Sequence, residues 1–320
     1  MTGELFTAGV EKLRAEISSA SRQGRKIGSL DFGGLTRILQ HNPADMTVTV
    51  EGGTKLSDLQ QHVGQHGQWL PLDPADPAAT ISEIIQQDLS GPRRLGYGTV
   101  RDHLLGIHVL LADGQLIKGG GQVVKNVAGY DLCKLFVGSQ GTLGVVVAAV
   151  FKLQPLPERE NLLHLRFESF AEAERCLRRL RGSEINPVLL EFHNISPSGM
   201  TPQTSAPPSC ELVAGFAGAH EDVEQESAEA IKAGLVSGGG LEHERMMPQL
   251  QQKLSVLPSR LFQALQLLPE GDPFIARAGN GVIRYSHAVL QGTVPHLPMA
   301  LLHRTKKIFD PDNVFPELRL

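Results

Sequence analysis

The chain has 320 residues, 41% of them hydrophobic, enough for two ordinary cores at about 150 residues per domain. A formal net charge of −4 leaves no broad basic footprint, and aromatic residues make up only 5%, so nucleic acid is excluded as the main partner. Cys133, Cys176 and Cys210 stand far apart with no C-x-x-C pair, and no run approaches the roughly 20 apolar residues of a membrane span. Neither an iron–sulfur cluster nor a metal site is expected. The N-terminus lacks an apolar signal core, which with the cysteine usage predicts a cytoplasmic protein without an integral membrane segment.

Val10, Leu13 and Ile17 fall at helical spacing and predict an amphipathic helix over 7–20, ended by Gly24. A short strand is expected at 26–31, a helical turn at 35–39 and a half-buried strand at 47–50. The next helix, 56–66, carries His62 and His66 one turn apart. That spacing can serve a metal, but no third ligand accompanies the pair in sequence, and they read as exposed helix histidines. The proline-rich segment 70–77 must run as an extended loop, and it delivers Thr80 as the N-cap of a helix bearing Ile81, Ile84 and Ile85. Ser90 to Arg94 and Gly96 to Asp102 then concentrate small, hydroxylic and basic residues. The arginines suit either phosphate or solvent.

Strands at 106–111 and 115–118 flank Ala112-Asp113-Gly114, a strong hairpin signal. After Gly119 to Gly121 comes the stretch 125–146, KNVAGYDLCKLFVGSQGTLGVV, in which Gly138, Gly141 and Gly144 recur every third residue between an amphipathic segment and a β-branched run. Such glycines let backbone approach a nucleotide, or serve only turn geometry and close packing. His103 and His108 read as structural. Pro155 and Pro157 stop the strand 145–153 and mark the domain boundary.

Beyond it the order changes: a strand at 163–167, a helix capped by Ser169, strands at 188–192 and 211–216 around a Ser/Pro-rich loop, and a helix over 222–235. This β-α-β-β-α run is the order of a ferredoxin-like layer. Gly279-Asn280-Gly281 predicts a hairpin turn, and a last helix ends before Pro311.

The series SGPRRLGYGTVRDHLLG (90–106), LADGQLIKGGGQVVKNVAGYDLCKLFVGSQGTLGVV (111–146) and QPLPE (154–158) resembles the FAD-binding domain of FAD-linked oxidases, the fold of vanillyl-alcohol oxidase and p-cresol methylhydroxylase (PCMH). Within that family it is most similar to the small flavin subunit of bacterial glycolate oxidase. The resemblance covers 10–160 well and is thinner beyond, resting there on Gly279-Asn280-Gly281 and the terminal FDPDNVFPEL. It implies an α+β chain, with a two-lobed PCMH-type FAD-binding domain at 1–157 followed by a smaller antiparallel-sheet, ferredoxin-like cap domain at 158–320. Also implied are FAD as cofactor, a larger FAD-binding glycolate oxidase subunit and an iron–sulfur subunit as partners, and a small 2-hydroxy acid as the substrate of the complex, which could lie against the inner membrane.

Carried over residue by residue, cofactor contacts are implied at Thr80, at Ser90, Gly91, Gly98, Thr99 and Asp102 near pyrophosphate and flavin, at Asn126, Gly129 and Tyr130 beside the cofactor, and at Gly141, Gly144, Val145 and Val146 on the adenosine side. No catalytic residue is indicated, and the second domain lacks an obvious histidine-rich cluster. Two departures stand out. Gln23 to Asp31 runs almost straight into LTRIL, so the family's first phosphate loop is expected to be deleted here; Gly52-Gly53-Thr54-Lys55 resembles it but follows the VTV strand and reads as a turn. Ser82-Glu83 stands where the family has Gly-Gly, adding a carboxylate where a diphosphate would approach. Two readings follow: an FAD-dependent oxidoreductase subunit that passes electrons to its partners, or a non-catalytic structural subunit in which FAD is weakly bound or lost.

Overall fold

The computed structural model describes residues 8–28, 30–121, 132–195, 210–287 and 299–317. Two compact units divide the chain: Met1–Ser90 with Gly98–Leu156 and Leu297–Leu320, and Gly91–Tyr97 with Pro157–His296. They differ from the linear division at 157/158 in three places, since 91–97 and Pro157 belong to the second unit and 297–320 to the first.

The first unit is built on a five-stranded antiparallel sheet. Its strands are β1 (Ile38–Asn42), β2 (Thr47–Glu51), β4 (Leu104–Leu110), β5 (Leu116–Gly120) and β6 (Val145–Lys152), in the order β1-β2-β6-β4-β5; β3 (Gln68–Trp69) and β7 (Gln154–Pro155) form a separate short pair. Central β6 reads VVVAAVF and is buried at every position except Lys152. A run of β-branched and small residues suits a strand covered on both faces. Helix Ile81–Gln87 packs on β6, with Ile81, Ile84 and Ile85 buried. The N-terminal helix Ala8–Arg22 buries Val10, Leu13, Ile17 and Ala20.

Two local expectations fail for the same reason, a tertiary partner that overrides local pattern. Residues 26–31 form no strand among the described residues; instead Ile27 N–H donates to Val314 O at 2.8 Å and Lys26 pairs with Glu317, so the C-terminal segment holds this stretch. The region 35–39 is no helical turn: β1 starts at Ile38, after buried Glu51 takes the Arg37 N–H at 2.8 Å and its guanidinium at 2.9 Å. The Gly52–Gly53 turn lies where a β-carbon on Gly52 would meet Val146 O at 2.3 Å, so close packing requires glycine there.

In the second unit, β8 (Arg159–Phe167), β9 (Leu189–His193), β10 (Cys210–Gly218), β11 (Val236–Ser237), β12 (Gln252–Ser255), β13 (Phe274–Arg277) and β14 (Val282–Tyr285) form one antiparallel sheet, ordered β11-β8-β10-β9-β13-β14-β12. Helices Phe170–Gly182 and His220–Lys232 complete β-α-β-β-α-β, with the first four strands in the ferredoxin-like order 4-1-3-2. The fold class is α+β as expected. Phe170, Phe192, Phe262 and Phe274 meet with ring centroids 5.3–6.2 Å apart in its core. Among the described residues no helix is long and apolar enough to cross a membrane.

Candidate functional site

A cleft of about 480 Å³ opens in the first unit between helix Ile81–Gln87 and the loop that leads into β6. The helix fixes that loop. Gly138 N–H donates to Ile85 O (3.0 Å), Gln140 N–H donates to Gln86 O (2.8 Å), and the Gln86 amide donates to Gly144 O at 3.2 Å. Gln140 and Gly141 both adopt left-handed backbone, φ 54° and 72°, a conformation in which glycine carries no steric cost. Gly144 answers to packing, since a β-carbon there would lie 2.6 Å from Val109 Cγ1.

The other walls are apolar: Ile27, Leu30 and Phe32 on one side, Phe315 and Pro316 on the other. Asp310, 2% exposed, places the last two. Its carboxylate accepts Val314 N–H and Phe315 N–H, each at 2.8 Å, and pairs with Lys306 at 2.6 Å. Lys306 also donates to Thr142 O and Phe315 O at 3.1 Å, tying the terminal segment to the glycine loop.

Two polar features decide what the cleft can hold. The Ser82 hydroxyl is buried without a hydrogen-bond partner, although its residue lines the cleft. An orphaned donor of this kind is satisfied by an acceptor such as a phosphate oxygen, and left unmade it costs roughly 1–3 kcal/mol. Against it stand two carboxylates, Asp31 and Glu83, while no lysine or arginine lines the cleft among the described residues. Asp31 is held by Lys12 at 2.7 Å and by Gly33 N–H, and the Lys12 hydrogen bond pulls its carboxyl below the usual range. Glu83 closes a capping box, taking the Thr80 N–H at 2.8 Å and hydroxyl at 2.9 Å. The helix N-terminus is thereby served by the chain's own carboxylate. Size, apolar walls, left-handed loop and the unpaired hydroxyl together fit the adenosine end of a dinucleotide; Glu83 weakens the fit for its phosphates.

Of the residues singled out from sequence, Thr80, Gly141, Gly144 and Val145 meet in this cleft. Val146 points the other way along β6, fully buried. Ser90, Gly98, Thr99 and Asp102 form a separate turn whose polar groups satisfy one another. Asp102 accepts the Thr99 N–H at 2.7 Å and hydroxyl at 2.8 Å, bonds that draw its carboxyl down, and the Ser90 hydroxyl accepts Val100 N–H at 3.1 Å. A β-carbon on Gly98, φ 90°, would lie 2.9 Å from the Asp102 carboxylate. Gly91 begins the segment that belongs to the second unit. Asn126, Gly129 and Tyr130 lie outside the described residues. His103 and His108 are buried, and burial lowers the proton affinity of His108. Gln86 and the Phe315 wall escaped sequence reasoning, and Ser82 entered it only as a departure from Gly-Gly; the terminal FDPDNVFPEL was the available signal for Phe315.

The second unit holds a buried charge cluster around β9 and β13. Arg277 donates to both oxygens of Glu244, at 2.7 and 2.8 Å, and pairs with Glu191, which also accepts from His243 at 2.7 Å. His193 stacks on His243 at 3.9 Å. Burial pushes His193 down to about 3 and His243 to about 4. Ligand atoms of Glu191, His243 and Glu244 lie within 4.8 Å of one another, but the single Arg277 guanidinium already pairs with both carboxylates.

Comparison with known proteins gives this architecture its relatives. The FAD binding domain matches 13–120, and the C-terminal domain of FAD linked oxidases matches 156–260. Glycolate oxidase subunit GlcD of Bacillus subtilis is 38% identical over 162 residues, 50% of this chain and 34% of that protein. Glycolate oxidase subunit GlcE of Escherichia coli is 38% identical over 138 residues, 42% of this chain and 39% of that one, and a D-lactate dehydrogenase of Archaeoglobus fulgidus is 35% identical over 150 residues, 47% and 34%. The matched stretch thus spans little more than a third of these relatives. An alkyldihydroxyacetonephosphate synthase shares the fold, with a TM-score of 0.71 at 16% identity over 97% of this chain and 76% of that one. The chain thus carries, in order, matches to both domains of the FAD-linked oxidases, whose cofactor is FAD.

Proposed function

We propose that the chain is an FAD-binding subunit of a 2-hydroxy acid dehydrogenase complex of the glycolate oxidase type, working with a larger flavin subunit and an iron–sulfur subunit on the cytoplasmic side of the inner membrane. The observation that carries this reading is the unpaired buried hydroxyl of Ser82, a residue that lines a cleft with a left-handed Gln140–Gly141 turn. Bound FAD supplies hydride acceptance from the carbinol carbon and onward release of electrons. The chain's own residues bind and orient. Ser82 would offer a hydroxyl donor to the bound group, Gly141 would let backbone approach it, and Phe315 with Pro316 would keep water from it. Cys133, Cys176 and Cys210 are all buried and widely separated in sequence, so onward electron transfer needs a partner or a diffusible acceptor.

Coexpression with the two partner subunits, followed by glycolate oxidation with an artificial acceptor, tests the proposal. Activity is expected only in the assembled complex and only with this chain present. Full turnover by the isolated chain, or by the partners without it, contradicts it.

A second reading has its own support, the Asp31 and Glu83 carboxylates on the cleft. In it the chain is a flavin-free structural subunit, and the complex assembles and turns over unchanged when the cleft is blocked by a bulky residue at Gly141.

A further inference from the structure

The histidine pair on the second helix gains a third member in space. His41 on β1 lies with its ring centroid 5.2 Å from His62 and 4.9 Å from His66, and those two are 6.3 Å apart. Strand pairing explains why sequence spacing hid it. β1 runs antiparallel to β2, with His41 opposite Val48, and the chain then enters the helix Leu56–Gly64, whose C-terminal end carries His62 and leads into His66. Three imidazoles around one tetrahedral ion, each metal–nitrogen bond being about 2.0–2.1 Å, put their ring centroids about 5 Å apart. Two of the three centroid separations already stand there, and ring rotation must still bring one nitrogen of each imidazole onto a common ion. The third closes with a shift of ~1 Å, within the reach of rotamer adjustment at a helix end where His62 is half-buried and His66 exposed.

Gln68 supplies the second observation. It is 7% exposed, and its Nε2 donates to Pro43 O at 2.7 Å, which turns Oε1 toward His41 Nε2 at 3.0 Å. An amide oxygen only accepts, so neutral His41 takes the Nε2–H tautomer and its Nδ1 keeps a free lone pair. Metal-bound histidines are oriented in this way, the second ring nitrogen donating to an oxygen that fixes tautomer and ring plane. Neither His62 nor His66 hydrogen-bonds another described residue, so their nitrogens are available too.

We propose that His41, His62 and His66 form a site for a divalent first-row transition ion, zinc by its tetrahedral preference, with water in the fourth position and Gln68 as a positioning residue. Magnesium and calcium do not suit it, because they require oxygen ligands. The ion would clip β1 to the C-terminal end of the helix Leu56–Gly64.

Calorimetric titration of zinc chloride into the full, tag-free chain tests this, with thermal melting and the visible spectrum of the cobalt-substituted protein alongside. One zinc per chain is expected, with a raised melting temperature and a tetrahedral cobalt spectrum. His66→Ala should weaken zinc at least tenfold, and His62→Ala/His66→Ala should abolish the tight site. Gln68→Ala should weaken it about 10- to 100-fold, with zinc-induced stabilisation read against the variant's own metal-free melting temperature, which loss of the bond to Pro43 O lowers. Should the double variant fail to fold, exposed His66→Ala carries the same test alone. Absence of stoichiometric zinc binding by the wild-type chain overturns the proposal. So does zinc binding that survives these substitutions, as it would if the ion sat at Glu191, His243 and Glu244.

Discussion

Replacing Glu83 with Gln removes the carboxylate from the cleft while preserving most of the local structure. Gln keeps one side-chain oxygen to accept the Thr80 N–H or hydroxyl, now held at 2.8 and 2.9 Å, so the capping box survives in its Ser/Thr-x-x-Gln form. Exchanging charge-assisted for neutral hydrogen bonds there should cost about 0.5–1 kcal/mol of stability. The binding term has the opposite sign. Two unit charges interact by about 4 kcal/mol at 4 Å and an effective dielectric of 20, and by about half that at twice the distance; solvent at an open cleft reduces it further. Removing one negative charge from a diphosphate site should therefore favour FAD by roughly 1–2 kcal/mol, a 5- to 30-fold lower Kd. Titration followed by quenching of flavin fluorescence measures it, with riboflavin as a control that has no phosphates. Tighter FAD with unchanged riboflavin supports the assignment. If Glu83→Gln binds FAD no better than wild type, the phosphates do not lie beside Ser82 and Glu83.

Asp310→Asn breaks the buried pair with Lys306 and weakens the hold on Val314 and Phe315; urea denaturation should show a loss of about 3 kcal/mol, and FAD affinity should fall with the Phe315 wall. Arg277→Met leaves the buried carboxylates of Glu191 and Glu244 without a cation. A loss of about 3–5 kcal/mol is expected, largely recovered by adding Glu191→Gln and Glu244→Gln. His193 and His243, lowered to about 3 and about 4 against 6.5 when exposed, bind fewer protons folded than unfolded. Stability is therefore fully present above about pH 6.5 and lost as pH falls toward 4, each histidine contributing about 1.4 kcal/mol per pH unit in that window, and His193→Phe should flatten the urea-derived profile.

The elements that sequence foretold best are those whose local pattern and tertiary setting agree. The uninterrupted apolar run of β6, the Asp113-Gly114 hairpin and the Thr80 cap each carry their own cause, and so does the β-α-β-β-α order of the second unit. Legibility ended where a distant partner decided the outcome. Residues 26–31 look like a strand, but the Ile27 N–H goes to Val314 O, nearly 290 positions away. The candidate site divided along the same line. Gly141 and Gly144 announce themselves by spacing, whereas Phe315 enters through an Asp310 turn. Ser90, Thr99 and Asp102 resemble a phosphate loop in composition, yet in three dimensions their polar groups are spent on one another. His41, His62 and His66 show the converse, a constellation invisible until two strands pair.

The central claim is that the cleft beside Ser82 and Gly141 holds FAD, and equilibrium dialysis of FAD against the wild-type chain and Ser82→Ala addresses it most directly. Because the Ser82 hydroxyl has no partner in the protein, its removal should leave thermal stability unchanged or slightly higher. The account predicts saturable binding of one FAD per wild-type chain, weakened roughly 10-fold in Ser82→Ala by loss of one charge-assisted hydrogen bond of about 1.5 kcal/mol. Saturable binding that is indifferent to Ser82→Ala, or no saturable binding by the wild-type chain, would contradict it.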